Sequence, residues 1–164
     1  MIDIDKLSAE FKESSERLIS KLEAVPEDVF FNRPEENKWS VGEIAEHLYK
    51  VERPVISFLK GKKSEEPSPK PERKKAIIER AFSDTSKKFT AHGAIVPQKD
   101  FTAKDEVINT IKETRDNIAF LITSVDLNYV CLDFPHPLLG EMTGVEWIHF
   151  IMLHSDRHIN QFRY

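Results

Sequence analysis

The stretch from Val145 to Tyr164 constrains this chain more than any other. Val145, Trp147, Ile148, Phe150, Ile151, Met152 and Leu153 put apolar side chains on nearly every face of a helix. A helix that is apolar all round is buried on all sides. The rest of the chain must therefore be built around it, and one of its faces is expected to meet a partner chain. The polar residues on such a helix are then the informative ones. His154 and His158 are four apart, so they stack on one face with Cβ atoms roughly 5–6 Å apart. Two imidazoles at that spacing can share one metal ion. A site needs at least one more ligand, from elsewhere in the chain.

Three further stretches carry helical period. Ile4, Leu7, Phe11, Leu18 and Leu22 mark one stripe of a helix over residues 3–24, which Pro26 ends. Residues 25–39 are a connection rich in turn formers, pinned by Val29, Phe30 and Phe31. Ser40-Val-Gly-Glu43 is a capping-box pattern. It opens a second helix whose inward face is Ile44, His47, Leu48, Val51, Val55 and Phe58. Pro54 lies inside this helix and frees the carbonyl four residues earlier, so a kink is expected near Lys50–Pro54. Residues 61–104 read as a long crossover. Its start, Gly61 to Pro71, is a linker by composition, and a broken helix follows over 74–90. Val107, Ile108, Ile111, Ile118, Leu121, Ile122 and Val125 face inward from a third long helix over 104–125. Residues 126–144 read as a loop, and Thr143 with Glu146 caps the last helix. No β alternation stands out. The expected fold is all-α, with four main helices in one domain over 1–164.

Charge and length exclude some roles. Lys and Arg number 24 against 28 Asp and Glu, a net charge of −4, so a nucleic acid or an anionic membrane is a poor partner. Gly numbers only 5, and no glycine-rich phosphate loop is present. No apolar run approaches a membrane span, and the start has no secretory signal. Cys131 is the only cysteine, which fits a cytoplasmic protein.

If the second and last helices are neighbours, His47 can face His154 and His158. Three neutral imidazoles with an open fourth position form a catalytic type of divalent-metal site. Zinc fits three nitrogens, and nickel, cobalt, copper or iron would also fit. The competing reading is three core imidazoles, each bonded to a carbonyl. Other residues lie within reach of a role. Glu43, one turn before His47, is either a second support for its ring or a helix cap. His136 sits in a Pro-His-Pro turn, either at a pocket mouth or at the surface. Cys131 is a nucleophile or a small core residue, and Gln161 shares the histidine stripe. Asp156 should point away from the site, and His149 belongs to packing or an interface. Arg157 and Arg163 either hold an anion or complement the helix end. The glutamate of H-E-x-x-H is missing, and with it the metalloprotease base.

Three blocks carry a family resemblance. They are Arg33-Pro-x4-Lys-Trp39-Ser-Val-Gly-Glu-Ile-Ala-Glu-His47-Leu, His136-Pro-x-x-Gly140-x-x-Thr143-x-x-Glu146-Trp147, and His154-x-x-Arg157-His158-x-x-Gln161. Together they resemble the DinB/YfiT-like superfamily of metal-binding proteins. The resemblance implies a four-helix bundle with a long crossover between the second and third helices. It also implies a divalent metal, often zinc or nickel, held by His47, His154 and His158, and a homodimer. Some members of the family are S-transferases that use a low-molecular-weight thiol. The resemblance therefore implies a metal-dependent thiol S-transferase, with a metal-dependent hydrolase or a non-enzymatic dimer with a structural or vestigial metal as alternatives.

Overall fold

The computed structural model describes residues 1–164. Four long helices make the bundle: α1 (Ile4–Ala24), α2 (Val41–Lys60), α4 (Lys104–Ser124) and α5 (Gly144–Ile159), with a short α3 (Lys75–Ser83) in the crossover. Local chemistry sets their starts. The Asp3 carboxylate accepts the Lys6 amide ahead of α1, while Ser40/Glu43 and Thr143/Glu146 form complete capping boxes ahead of α2 and α5. In cross-section α1 packs on α4 and α5, and α2 packs on the same two. Helices α1 and α2 therefore occupy opposite corners, and α2 and α5 are neighbours. Helix α2 continues through Pro54 without interruption to Lys60.

Two expectations need correction. The segment over 126–144 is not a plain loop. Strands β1 (Val130–His136) and β2 (Gly140–Thr143) form an antiparallel hairpin, with Val130 opposite Thr143 and His136 opposite Gly140. Gly140 closes the turn at φ 68°, a conformation open to glycine at little cost. The start of the crossover extends this sheet: the Ser64 amide donates to Val130 O at 3.0 Å and the Leu132 amide to Lys62 O at 2.9 Å. The second correction concerns α5. Its apolar faces are covered within the chain by α1, α2, α3 and the hairpin. Its composition therefore requires no partner chain.

The core is divided. One apolar cluster holds Phe11, Val55, Ile118 and Met152; the other holds Leu18, Leu48, Ile111 and Ile159. Between these positions on the four helices lie Ser14, Glu52, Arg115 and Ser155, all buried. Arg115 donates to Glu52 through Nε at 3.0 Å and Nη2 at 2.6 Å, and through Nη1 to Ser14 Oγ at 3.2 Å. Its guanidinium also lies over the Phe11 ring at 5.4 Å. Side-chain exposure of the pair is 2% and 1%, so both charges depend on each other for solvation. Replacing Arg115 by Met strands the Glu52 carboxylate and should lower unfolding stability by about 3–5 kcal/mol. Replacing both residues by Met should recover most of that loss, as read by urea denaturation. Equal stability of the single and double variants would contradict this account.

Candidate metal centre

His47 reaches the interior from the second turn of α2, whose position the capping box fixes. His154 and His158 come from the last two turns of α5. Their ring nitrogens gather closely. His47 Nε2 lies 3.2 Å from His154 Nε2, and His158 Nε2 lies 3.1 Å from the same atom. One ligand nitrogen from each residue falls within 4.8 Å of the others.

The outer ring nitrogens explain which atoms face inward. His47 Nδ1 donates to the Ile95 carbonyl at 2.8 Å, and His158 Nδ1 donates to Gln161 Oε1 at 2.8 Å. Each of those bonds uses the Nδ1 proton, so the neutral ring presents a bare Nε2 lone pair to the centre. His154 Nδ1 is buried without a partner, and that ring is held instead by stacking on Phe150 at 5.5 Å and 8°. Phe82 and Trp39 close the surround, at 5.6 Å from His154 and 5.1 Å from His47.

Burial keeps these rings neutral. It pushes His158 down to about 3, with the neighbouring His47 adding to the effect. Burial likewise lowers His47, against the bond to Ile95, and it puts His154 well below the ordinary histidine range. A second proton on any of the three rings is thus disfavoured, and the bare Nε2 atoms of His47 and His158 both converge on His154 Nε2. A cation can take all three nitrogens once the single His154 proton sits on Nδ1. Zinc–nitrogen bonds of about 2.0–2.1 Å in a tetrahedron set ligand nitrogens about 3.3 Å apart, close to the two spacings found here. The donor set therefore fits a divalent ion of the zinc or nickel kind.

Other candidates fall elsewhere. Glu43 does not orient His47; it caps α2 and takes Arg33 Nη2 at 2.6 Å. Asp156 points away and pairs with Arg17 at 2.9 Å. His149 donates to Glu72 at 2.9 Å, tying α5 to the crossover. Cys131 is fully buried, where desolvation pushes its thiol up despite Lys63 Nζ at 3.3 Å. Arg157 holds the carbonyls of Phe82, Asp84 and Lys87, and Arg163 bonds the carbonyls of Asn160 and Phe162. Arg157 is thereby tied to the crossover, while Arg163 stays exposed at the end of the chain.

Two supports went unread in the sequence. One is the Ile95 carbonyl, a main-chain acceptor with no side-chain signature. The other is Glu46, buried beside His47. It accepts the amides of Gln98 at 2.6 Å and Asp100 at 3.2 Å and pairs with Lys50 at 2.8 Å. These bonds moor the crossover where it passes His47. Glu46 and Lys50, one turn apart in α2, were the available signal.

Comparison with known proteins agrees with this architecture. A solved structure described as TT2238, a four-helix bundle protein, superposes with a TM-score of 0.61 at 16% identity, over 97% of both chains. The uncharacterized protein YuaE of Bacillus subtilis (strain 168) is 24% identical over 153 residues, covering 93% of each protein. The family model of the DinB superfamily matches residues 10–162, from the first third of α1 to beyond the histidine pair, and the chain belongs to that superfamily.

Proposed function

We propose that this protein is a divalent-metal-dependent enzyme that activates a low-molecular-weight thiol for transfer to an electrophile. DinB-like proteins are generally metal-associated, which supports the first half of the reading. The single observation that carries it is the convergence of three imidazoles with no fourth protein ligand among them. A structural site usually closes with four protein ligands, whereas a catalytic site keeps one position open. His136 and Cys131, the candidates for a fourth ligand, lie outside the cluster. Zinc or nickel is the proposed ion.

The surroundings favour a thiol over water as the nucleophile. Hydrolysis calls for a base or an orienting group beside the reacting water. Four carboxylates of the flanking helices and crossover are engaged elsewhere: Glu43 with Arg33, Glu46 with Lys50, Glu146 in its capping box and Glu72 with His149. A thiol needs only its own pKa lowered. When bound, the ion supplies the Lewis acidity that lowers it. The chain does the rest. Ile95 and Gln161 hold two rings in the metal-binding tautomer. Phe82 and Phe150 exclude water from His154. Neutral imidazoles at pH 7 spare the site from releasing protons on loading. The homodimer implied by the family resemblance belongs to the same proposal, and sedimentation of the purified protein checks it.

Calorimetric titration with zinc or nickel should give one ion per chain. His154→Ala should abolish that binding, and Gln161→Ala should weaken it about 10–100-fold through the loss of support to His158. Retained binding in His154→Ala would remove the site. Loaded protein should join glutathione or L-cysteine to a chromogenic electrophile, and chelator should stop it. Ester cleavage without any thiol would instead favour the hydrolase.

The metal-free protein should also show a defined pH dependence. The His158 ring titrates at about 3 when folded against 6.5 as its ordinary value, so the unfolded chain takes up the proton first. The stability tied to the neutral ring is complete above 6.5 and is lost as pH falls towards 3. Denaturation midpoints of His158→Gln should fall less over that window than those of the parent chain. Parallel curves for the two proteins would count against the shifted ring.

A further inference from the structure

His136 is the one remaining histidine whose chemistry the fold fixes without using. The hairpin turn pins its tautomer. The Leu138 and Leu139 amides both donate to His136 Nδ1, at 3.1 and 3.2 Å. A nitrogen that accepts two N–H groups carries no proton, so the neutral ring must be protonated at Nε2. Lys74 holds the same turn by donating to the carbonyls of Leu139 and Glu141. Burial, and then the Lys74 charge, push the ring below the ordinary histidine range and keep it neutral. The Nε2–H has no acceptor in the protein and is open to solvent.

This donor belongs to the same aromatic block as the three imidazoles. Its ring packs on Phe150 at 5.0 Å, and Phe150 stacks directly on His154 at 5.5 Å. Trp147 lies 6.1 Å from His136 and 5.6 Å from Phe150. Trp147 Nε1–H is a second donor without an acceptor, in a residue only 2% exposed. A buried indole N–H is usually bonded, and leaving one unmade is costly. Two donors of this aromatic block therefore lack an acceptor in the protein; that of Trp147 is sealed from solvent and that of His136 is not, and Phe150 alone stands between the His136 and His154 rings.

We propose that His136 Nε2–H binds an acceptor oxygen of the second substrate. The substrate class is then an apolar electrophile bearing a carbonyl oxygen. This rests on the thiol-transfer reading and adds the electrophile to it. In conjugate addition, the thiolate sulfur bonds to the β-carbon. The carbon–carbon π pair shifts to form an enolate, whose charge collects on the oxygen that His136 binds. The α-carbon then takes a proton from solvent, replacing the one that the thiol released. A fixed neutral donor aimed at developing oxyanion charge stabilises that state without reorganising.

Zinc-loaded protein labelled with 15N at histidine tests the binding half. At pH 7 the His136 signals, which the His136→Phe and His136→Gln variants identify by difference, should report the Nε2–H tautomer. Cyclohexanone, an unreactive carbonyl probe, should shift the Nε2 resonance. An Nδ1–H tautomer, or a resonance that cyclohexanone leaves unmoved, overturns the proposal. Kinetics test the catalytic half, with glutathione and either cyclohex-2-enone or benzyl chloride, which offers no acceptor oxygen. His136→Phe should cut kcat/KM for cyclohexenone about 100-fold, and that for benzyl chloride less than about threefold. His136→Gln, which keeps an N–H, should restore part of the first rate. Equal losses on both electrophiles overturn the assignment. If the parent protein transfers no thiol to either, the thiol-transfer reading fails, and the cyclohexanone shift alone decides whether His136 is a carbonyl donor.

Discussion

Two imidazole nitrogens held at hydrogen-bonding distance from a third form the constraint around which this bundle is arranged. Burial disfavours a positive charge on any of the three rings, so no added proton can tie them together. The fold nevertheless brings them together, because each ring is fixed by a different part of the chain. The Ile95 carbonyl sets His47, the Phe150 ring sets His154 and the Gln161 amide sets His158. Such positioning suits a site that receives a positive charge. The energy to hold it comes from packing elsewhere in the bundle.

Part of that packing is itself polar. Ser14, Glu52, Arg115 and Ser155 occupy one level across four helices and separate the two apolar clusters. A bundle with a uniform apolar core can slide by a turn along its helices at modest cost. One with a bidentate ion pair at mid-height cannot, because any slip would leave two buried charges unpaired. Register matters here because His47 must meet His154 and His158 across the interface of α2 and α5. The charged layer fixes the height at which they meet, and Arg115 also adds to the field that disfavours a proton on His154.

The sequence made some of this legible and hid the rest for physical reasons. The four long helices show in the apolar stripes, and two of their starts show in capping boxes at Ser40 and Thr143, because local chemistry decides both. The DinB-like bundle followed from the histidine, proline and tryptophan blocks. The hairpin was hidden: Pro135 and Pro137 interrupt it, a bulge shifts its register, and Cys131 alone is buried in β1. No alternation survives under those conditions. The Arg115–Glu52 pair leaves no local pattern, since its partners lie 63 residues apart. The apolar surplus of α5 was visible, but its cause was not, because α3 and the hairpin that cover it are short and weakly patterned.

The support of His47 by a main-chain oxygen carries one further consequence. No side-chain replacement at position 95 can remove a carbonyl, so point substitution there cannot retune that ring. Only the path of the backbone between α3 and α4 can do so. That path is moored by Arg157 at one end and by Glu46 and Lys50 at the other. Variation in the setting of the His47 ring is thus written in the length of a connecting segment, where insertions and deletions act as the adjusting screw.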